Sequence, residues 1–164
     1  MSQIFNGNKG ISIIEILVVV FIISVTLTSL LGLIGFSLGA ASLMKQTNQA
    51  NFLAQETMEA VRNFRDNTSW NTNGLGTLTL NSPYHPEKTA DIPPKWNLVS
   101  SEEPLGIFNR KVVFEKVYRD GNDNIAQSGS EDPNTKKATV TVSWQERGRS
   151  HQIEIITYLT NWQE

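Results

Sequence analysis

KGISIIEILVVVFIISVTLTSLLGLIGFSLGAASLM, residues 9–44, holds one carboxylate, Glu15, and from Ile16 through Met44 neither a charge nor a proline. Its only polar side chains in that run are Ser24, Thr26, Thr28, Ser29, Ser37 and Ser42. A bilayer's hydrocarbon core needs about 20 apolar helical residues, so the stretch is long enough to span. A cleavable secretory signal has an apolar region of about 7–15 residues followed by a small-x-small site. Here the run is longer and no small-x-small site with a turn follows it, so the sequence predicts a membrane helix at the N-terminus.

Glu15 stands five residues after Gly10, inside otherwise apolar sequence. A carboxylate in a spanning helix costs a few kcal/mol at the bilayer centre and less near the interface, so it asks for solvent or for a partner. Position alone leaves two readings. One is a boundary carboxylate at the headgroups, helped by the helix N-terminus; the other is a countercharge for a cation at the same depth.

Lys9 and Gly10, then apolar Ile11, then a glutamate opening a long apolar helix: this region resembles the cleavage region of type IV pilins and pseudopilins. The resemblance covers about the first 65 residues. It implies that a membrane prepilin peptidase cuts after Gly10 and methylates the new amine on Ile11, so Lys9, Gly10 and Ile11 are the candidate processing residues. It further implies that Glu15 pairs with the N-terminal amine of a neighbouring subunit during assembly. Two positions depart from the family: Ile11 stands where phenylalanine or methionine is usual, and the region where many members carry a proline reads LGLIGFSLGA, residues 31–40. Gly32, Gly35 and Gly39 there either weaken the helix, by about 1 kcal/mol each relative to alanine, or let helices approach closely. Lys9 before the run and Lys45 and Arg62 after it set no clear charge bias; the resemblance places the N-terminus in the cytoplasm.

Residues 45–65 contain no glycine or proline and keep a helical period. Ala50, Leu53, Ala54, Thr57, Met58, Ala60, Val61 and Phe64 share one face, opposite Gln49, Asn51, Gln55, Glu56, Glu59 and Asn63. The expectation is a single helix from Ile11 of about 55 residues, about 80 Å at 1.5 Å per residue. Phe52 falls on its polar face. An ordinary exposed aromatic or an interfacial anchor accounts for it, and so does an inter-subunit contact, which makes Phe52 a candidate assembly residue.

After Asp66 the composition turns to Asn, Thr, Ser, Gly and Pro. Residues 77–80 and 96–99 are weak strand candidates, separated by a loop region with Pro83, Pro86, Pro93 and Pro94. Residues 107–119, 138–146 and 152–160 are strong ones, and the last two are joined by a hairpin at RGRS, residues 147–150. The fold expected is α+β: an antiparallel sheet on the exterior half of a long N-terminal helix. The parts are a leader at 1–10, a membrane and filament-core helix at 11–44, the helix's exterior half at 45–66 and the sheet domain at 67–164.

In the loop DGNDNIAQSGSEDPNTKK, Asp120, Asn122, Asn124, Ser128 and Glu131 fall at the one, three, five, nine and twelve positions of a calcium loop. The sixth position is Ile125 in place of glycine, and strands flank the loop where helices should, so a solvated hairpin loop competes with the calcium reading. No other cofactor is expected. Asn67-Thr68-Ser69 fits the glycosylation sequon, a triplet common by chance. His85 lies among prolines in a predicted loop and His151 begins a predicted strand, neither within a base or metal motif. With no nucleophile elbow, phosphate loop or paired-histidine motif, the sequence gives no ground for an enzyme.

The 164 residues leave room for one folded domain besides the helix. A mean hydropathy of -0.25 averages a very apolar end with a polar remainder. The net charge of -2 makes no demand for nucleic acid, local patches being left open, and the absence of cysteine excludes disulfides, thiol nucleophiles and the commonest zinc sites. Three functions remain. The first is a minor pilin or pseudopilin, with the peptidase, other pilin subunits, an inner-membrane assembly platform and, before assembly, membrane lipid as partners, and a cell-surface filament as destination. The second is a membrane-anchored or tip binding module for a surface, DNA or a secreted substrate. The third is a single-pass membrane protein unrelated to pili.

Overall fold

The computed structural model describes residues 10–162; Lys9 and the rest of the leader before Gly10 lie outside the described residues. One helix, α1 (Ile13–Asp66), opens the chain, and its residues fall into two compact units that divide between Met44 and Lys45. In the first unit every residue from 11 to 38 is exposed, and none of the most apolar window is buried. The helix is long and apolar enough to cross a membrane. Four of its hydroxyls bond internally: those of Ser24, Thr26, Thr28 and Ser29 donate to the carbonyls of Val20, Ile22, Ser24 and Val25, at 2.7–3.0 Å. A hydroxyl kept on the helix's own backbone presents no unpaired donor to hydrocarbon.

In the second unit α1 buries Ala50, Ala54, Thr57, Met58, Ala60, Val61 and Phe64, the stripe that the 3.6-residue period selects, with Leu53 half-buried. The stripe meets an antiparallel sheet, and the fold is α+β. Its strands are β1 (Pro83–Lys88), β2 (Trp96–Val99), β3 (Glu103–Leu105), β4 (Phe108–Arg119), β5 (Ile125–Ala126), β6 (Ser130–Glu146) and β7 (Arg149–Thr160). They run in the order β2-β1-β4-β6-β7, with β3 and β5 added to β4. Alternation decides what faces the core: Phe108, Val112 and Phe114 of β4, Ala138, Val140, Val142 and Trp144 of β6, and Leu159 of β7 are buried. Between Lys116 and Val117 the partner on β6 jumps from Lys136 to Asp132, so Pro133, Asn134 and Thr135 have no partner on β4. The bulge brings Val117, three residues after Phe114, back into the core.

Three sequence expectations are corrected. Residues 77–80 are not a strand: a 3-10 turn at Leu75–Thr77 is followed by bends, held where the Gly76 amide donates to the Trp70 carbonyl at 3.0 Å. The region with Pro83 and Pro86 is strand β1, and His85 is therefore in a strand and not a loop. Proline is tolerated there because β4 pairs only Pro83 and Tyr84 while β2 pairs only His85 onward, so neither half of β1 is bonded on both sides. The long asparagine-rich loop is shortened by β5 and by the start of β6, where Lys116–Glu131 and Arg119–Asp132 pairs at 2.7 Å lock polar residues into cross-strand register. The hairpin at residues 147–150 forms as a two-residue turn, with Arg147 at φ 49 and Gly148 at φ 76, the pair of positive angles that suits the strand twist.

Candidate functional site

The residues at the start of α1 are arranged as follows. Gly10 is exposed, and a Cβ added to it would meet nothing within 4 Å. No packing within the described chain calls for glycine at this position. Ile11 and Ser12 precede the helix and are exposed. The Ser12 carbonyl accepts from the amides of Glu15, at 3.0 Å, and Ile16, at 3.3 Å, and so starts the helical ladder. Glu15 lies in the first turn, exposed, where the unpaired amides of a helix N-terminus favour a negative charge.

The apolar side chains from Ile16 to Leu38 are exposed, and none of the most apolar window is buried. Gly32 and Gly35 face open space, with nothing within 4 Å of an added Cβ. Each weakens the helix by about 1 kcal/mol relative to alanine, and the chain itself offers no compensating contact. Such a surface suits lipid or other helices.

In the second unit Phe52 is 71% exposed, on the opposite side of α1 from the buried stripe. The other candidates are placed apart from it. The Asp120 carboxylate is taken up by its own loop: its Oδ1 accepts from the backbone amides of Asn122 and Asn124, both at 2.9 Å. The Asn124 and Asn122 amides hold its carboxyl below the usual carboxylate range. Glu131 is ion-paired with Lys116, and Asn122 and Ser128 are exposed loop residues. Among the described residues no group of three His, Asp or Glu side chains could hold a metal ion. His85 bonds the carbonyl of Ser101 through Nδ1 at 3.1 Å, and His151 stacks on Trp144 at 5.4 Å between ring centroids. Asn67 of the sequon donates its side-chain amide to the Asn63 carbonyl at 2.8 Å.

The sequence reading missed a charge cluster between helix and sheet. Arg110 is buried on β4, its side chain 6% exposed, and its guanidinium binds Glu103 of β3 and Glu56 of α1. The signal was an arginine at an inward position of an alternating strand, with no partner visible nearby in sequence. Comparison with protein-family models, with curated proteins and with solved structures finds no match to this chain.

Proposed function

We propose that this chain is a structural subunit, a minor pilin or pseudopilin, of a type IV pilus-like or type II secretion-like filament, cleaved after Gly10 and assembled through its N-terminal helix. The observation that carries the reading is the pairing of an exposed apolar helix with a glycine three residues before it, at which an added Cβ would meet nothing. A protease that reads the residue before its cut supplies a use for that glycine. Cleavage there frees an amine on Ile11, four residues before Glu15.

In a filament the uncovered segment packs against the same segment of neighbouring copies, with Gly32 and Gly35 admitting close approach. An unpaired charge in that apolar core is very costly, whereas an amine and a carboxylate at matched depth satisfy each other and fix the register. Phe52 then meets a neighbouring subunit. Before assembly the chain is a single-pass membrane protein with a cytoplasmic N-terminus and the sheet domain outside, and its partners are the prepilin peptidase, an assembly platform and other pilin subunits.

The test is intact mass after co-expression with a prepilin peptidase. The expected product has lost the leader through Gly10 and gained one methyl group on Ile11. Gly10→Val, which nothing in the chain's own packing resists, should remain uncut. A mature protein that still begins at Met1 would remove the proposal.

A further inference from the structure

The ends of the sheet can be placed along the helical residues of the second unit. Trp70 Nε1 donates to the Pro133 carbonyl at 3.2 Å and Trp162 Nε1 to the Asp66 carboxylate at 3.1 Å, so the bulged end of the sheet lies by the C-terminal end of α1. Farther back along the helix, Arg110 meets Glu56. The opposite end of the sheet, with the Gly106-Ile107 and Arg147-Gly148 turns, therefore lies toward Lys45. From Val142, the partner of Arg110, to Arg147 is about 17 Å at ~3.4 Å per residue. From Glu56 back to Lys45 is about 16 Å at 1.5 Å per residue. The turn thus reaches about the level of Lys45.

Lys45, Arg147 and Arg149 are all exposed, and Ile107 in the neighbouring turn is 55% exposed. The acidic groups toward this end include half-buried Glu146, opposite Arg149, Glu103, which binds Arg110, and Glu102, which is bound to Lys111 at 2.6 Å. A positive excess is left. Arg147 also occupies a positive-φ turn position that asparagine, aspartate or glycine fills at lower cost, so its side chain has a use that the turn does not explain. Lys45 is the first charge after Glu15. Residues 13–44 measure about 48 Å as helix, close to the roughly 40–45 Å of a bilayer with its headgroups, so the chain emerges from the headgroup layer at Lys45.

We propose that this end of the domain, with Arg147, Arg149 and Ile107 in its turns and Lys45 at about the same level on the helix, rests on anionic lipid headgroups of the leaflet that the apolar segment leaves. The arginines pair with headgroup phosphates and Ile107 enters the interface beside them. The contact keeps the unassembled subunit against the membrane surface. It rests on the apolar segment spanning the bilayer and is independent of whether a filament forms.

The chain has no cysteine, so single-cysteine probes are unambiguous. The full chain is reconstituted in vesicles of phosphatidylcholine alone or mixed with phosphatidylglycerol, with a fluorophore at Ser150→Cys and a headgroup quencher. Quenching should be strong only in the anionic vesicles and should fall as salt is raised. Each basic residue at an anionic surface changes partitioning about fivefold, so Arg147→Asn with Arg149→Gln should weaken it roughly 25-fold; asparagine keeps the positive-φ turn. A probe at Asn122, at the other end of β4, should stay unquenched. A probe at Ser37→Cys with an acyl-chain quencher reports spanning by itself, so loss of that signal removes the membrane reading and not only this contact. Equal quenching in neutral and anionic vesicles, or quenching that follows protein density and not lipid charge, would overturn the proposal, the latter assigning this end to a second copy.

Discussion

Arg110 on β4 places Nη1 3.4 Å from Oε2 of Glu56 on α1, an ion pair that crosses from sheet to helix. The arginine is buried, while Glu56 is half exposed and Glu103, which binds the same guanidinium, is about a quarter exposed. The cation is therefore the buried member and its partners are at the rim. Removing it and removing one partner are not equivalent.

Arg110→Ala should destabilise the domain by about 2–3 kcal/mol. That is below the usual cost of breaking a fully buried pair because both carboxylates keep some access to water. Glu56→Gln should cost less than about 1 kcal/mol, since Glu103 still satisfies the guanidinium. Urea titration followed by tryptophan fluorescence checks both, and equal effects would mean that the cluster acts as a single unit.

Phe114 and Phe52 make a second contrast between identical side chains. Phe114 is fully buried and packs at 6.0 Å from Tyr84, so Phe114→Ala should cost about 3–5 kcal/mol. Phe52→Ala should change stability by no more than about 0.5 kcal/mol. On the assembly reading it should nonetheless lower incorporation into sheared filaments. Normal incorporation of Phe52→Ala would return Phe52 to an ordinary exposed aromatic.

Asp132 sits at the bulge edge, where burial raises its pKa but is outweighed by the Arg119 guanidinium, the Thr135 hydroxyl and the Asn134 amide together; the net result is a lowered pKa. A carboxyl that is more acidic folded than unfolded contributes stability above the ordinary aspartate pKa of about 3.9. That contribution is lost as pH falls through the folded value. Asp132→Asn should therefore lower stability at neutral pH and flatten its decline in acid. Thermal melts at neutral pH and near pH 3 measure the difference, and an unchanged acid slope would show that other carboxylates govern it.

Glu15→Ala tests the assembly mechanism apart from anchoring. Insertion should be intact or improved, because an expensive carboxylate leaves the spanning segment, and cleavage after Gly10 should continue. Incorporation should fall sharply, because each neighbour's Ile11 amine would enter the core without a countercharge, a loss of about 3–5 kcal/mol per pair. If the variant enters sheared filaments as well as the wild type, Glu15 is a boundary carboxylate only.

The helix was legible in the sequence because its signals are local. An uncharged run followed by a 3.6-residue apolar stripe fixes both halves, and seven of the eight residues expected on the stripe are buried, Leu53 alone being intermediate. The three long strands and the Arg147-Gly148 turn were legible for the same reason, since alternation and a glycine at the turn are read within a dozen residues. Strand β1 was not: two prolines in six residues argue against a strand, and they are tolerated only because β2 and β4 each pair a different half of it. Nor was the bulge that brings Val117 into the core, because it depends on where β6 loses register with β4. Arg110 could be read as an inward position but not as a satisfied one, its carboxylates lying seven residues away on another strand and 54 residues away on the helix. The sequence by itself determined what the chain does locally, while pairing, register and the partners of buried charge came only with the tertiary structure, because those depend on which distant residues the fold brings together.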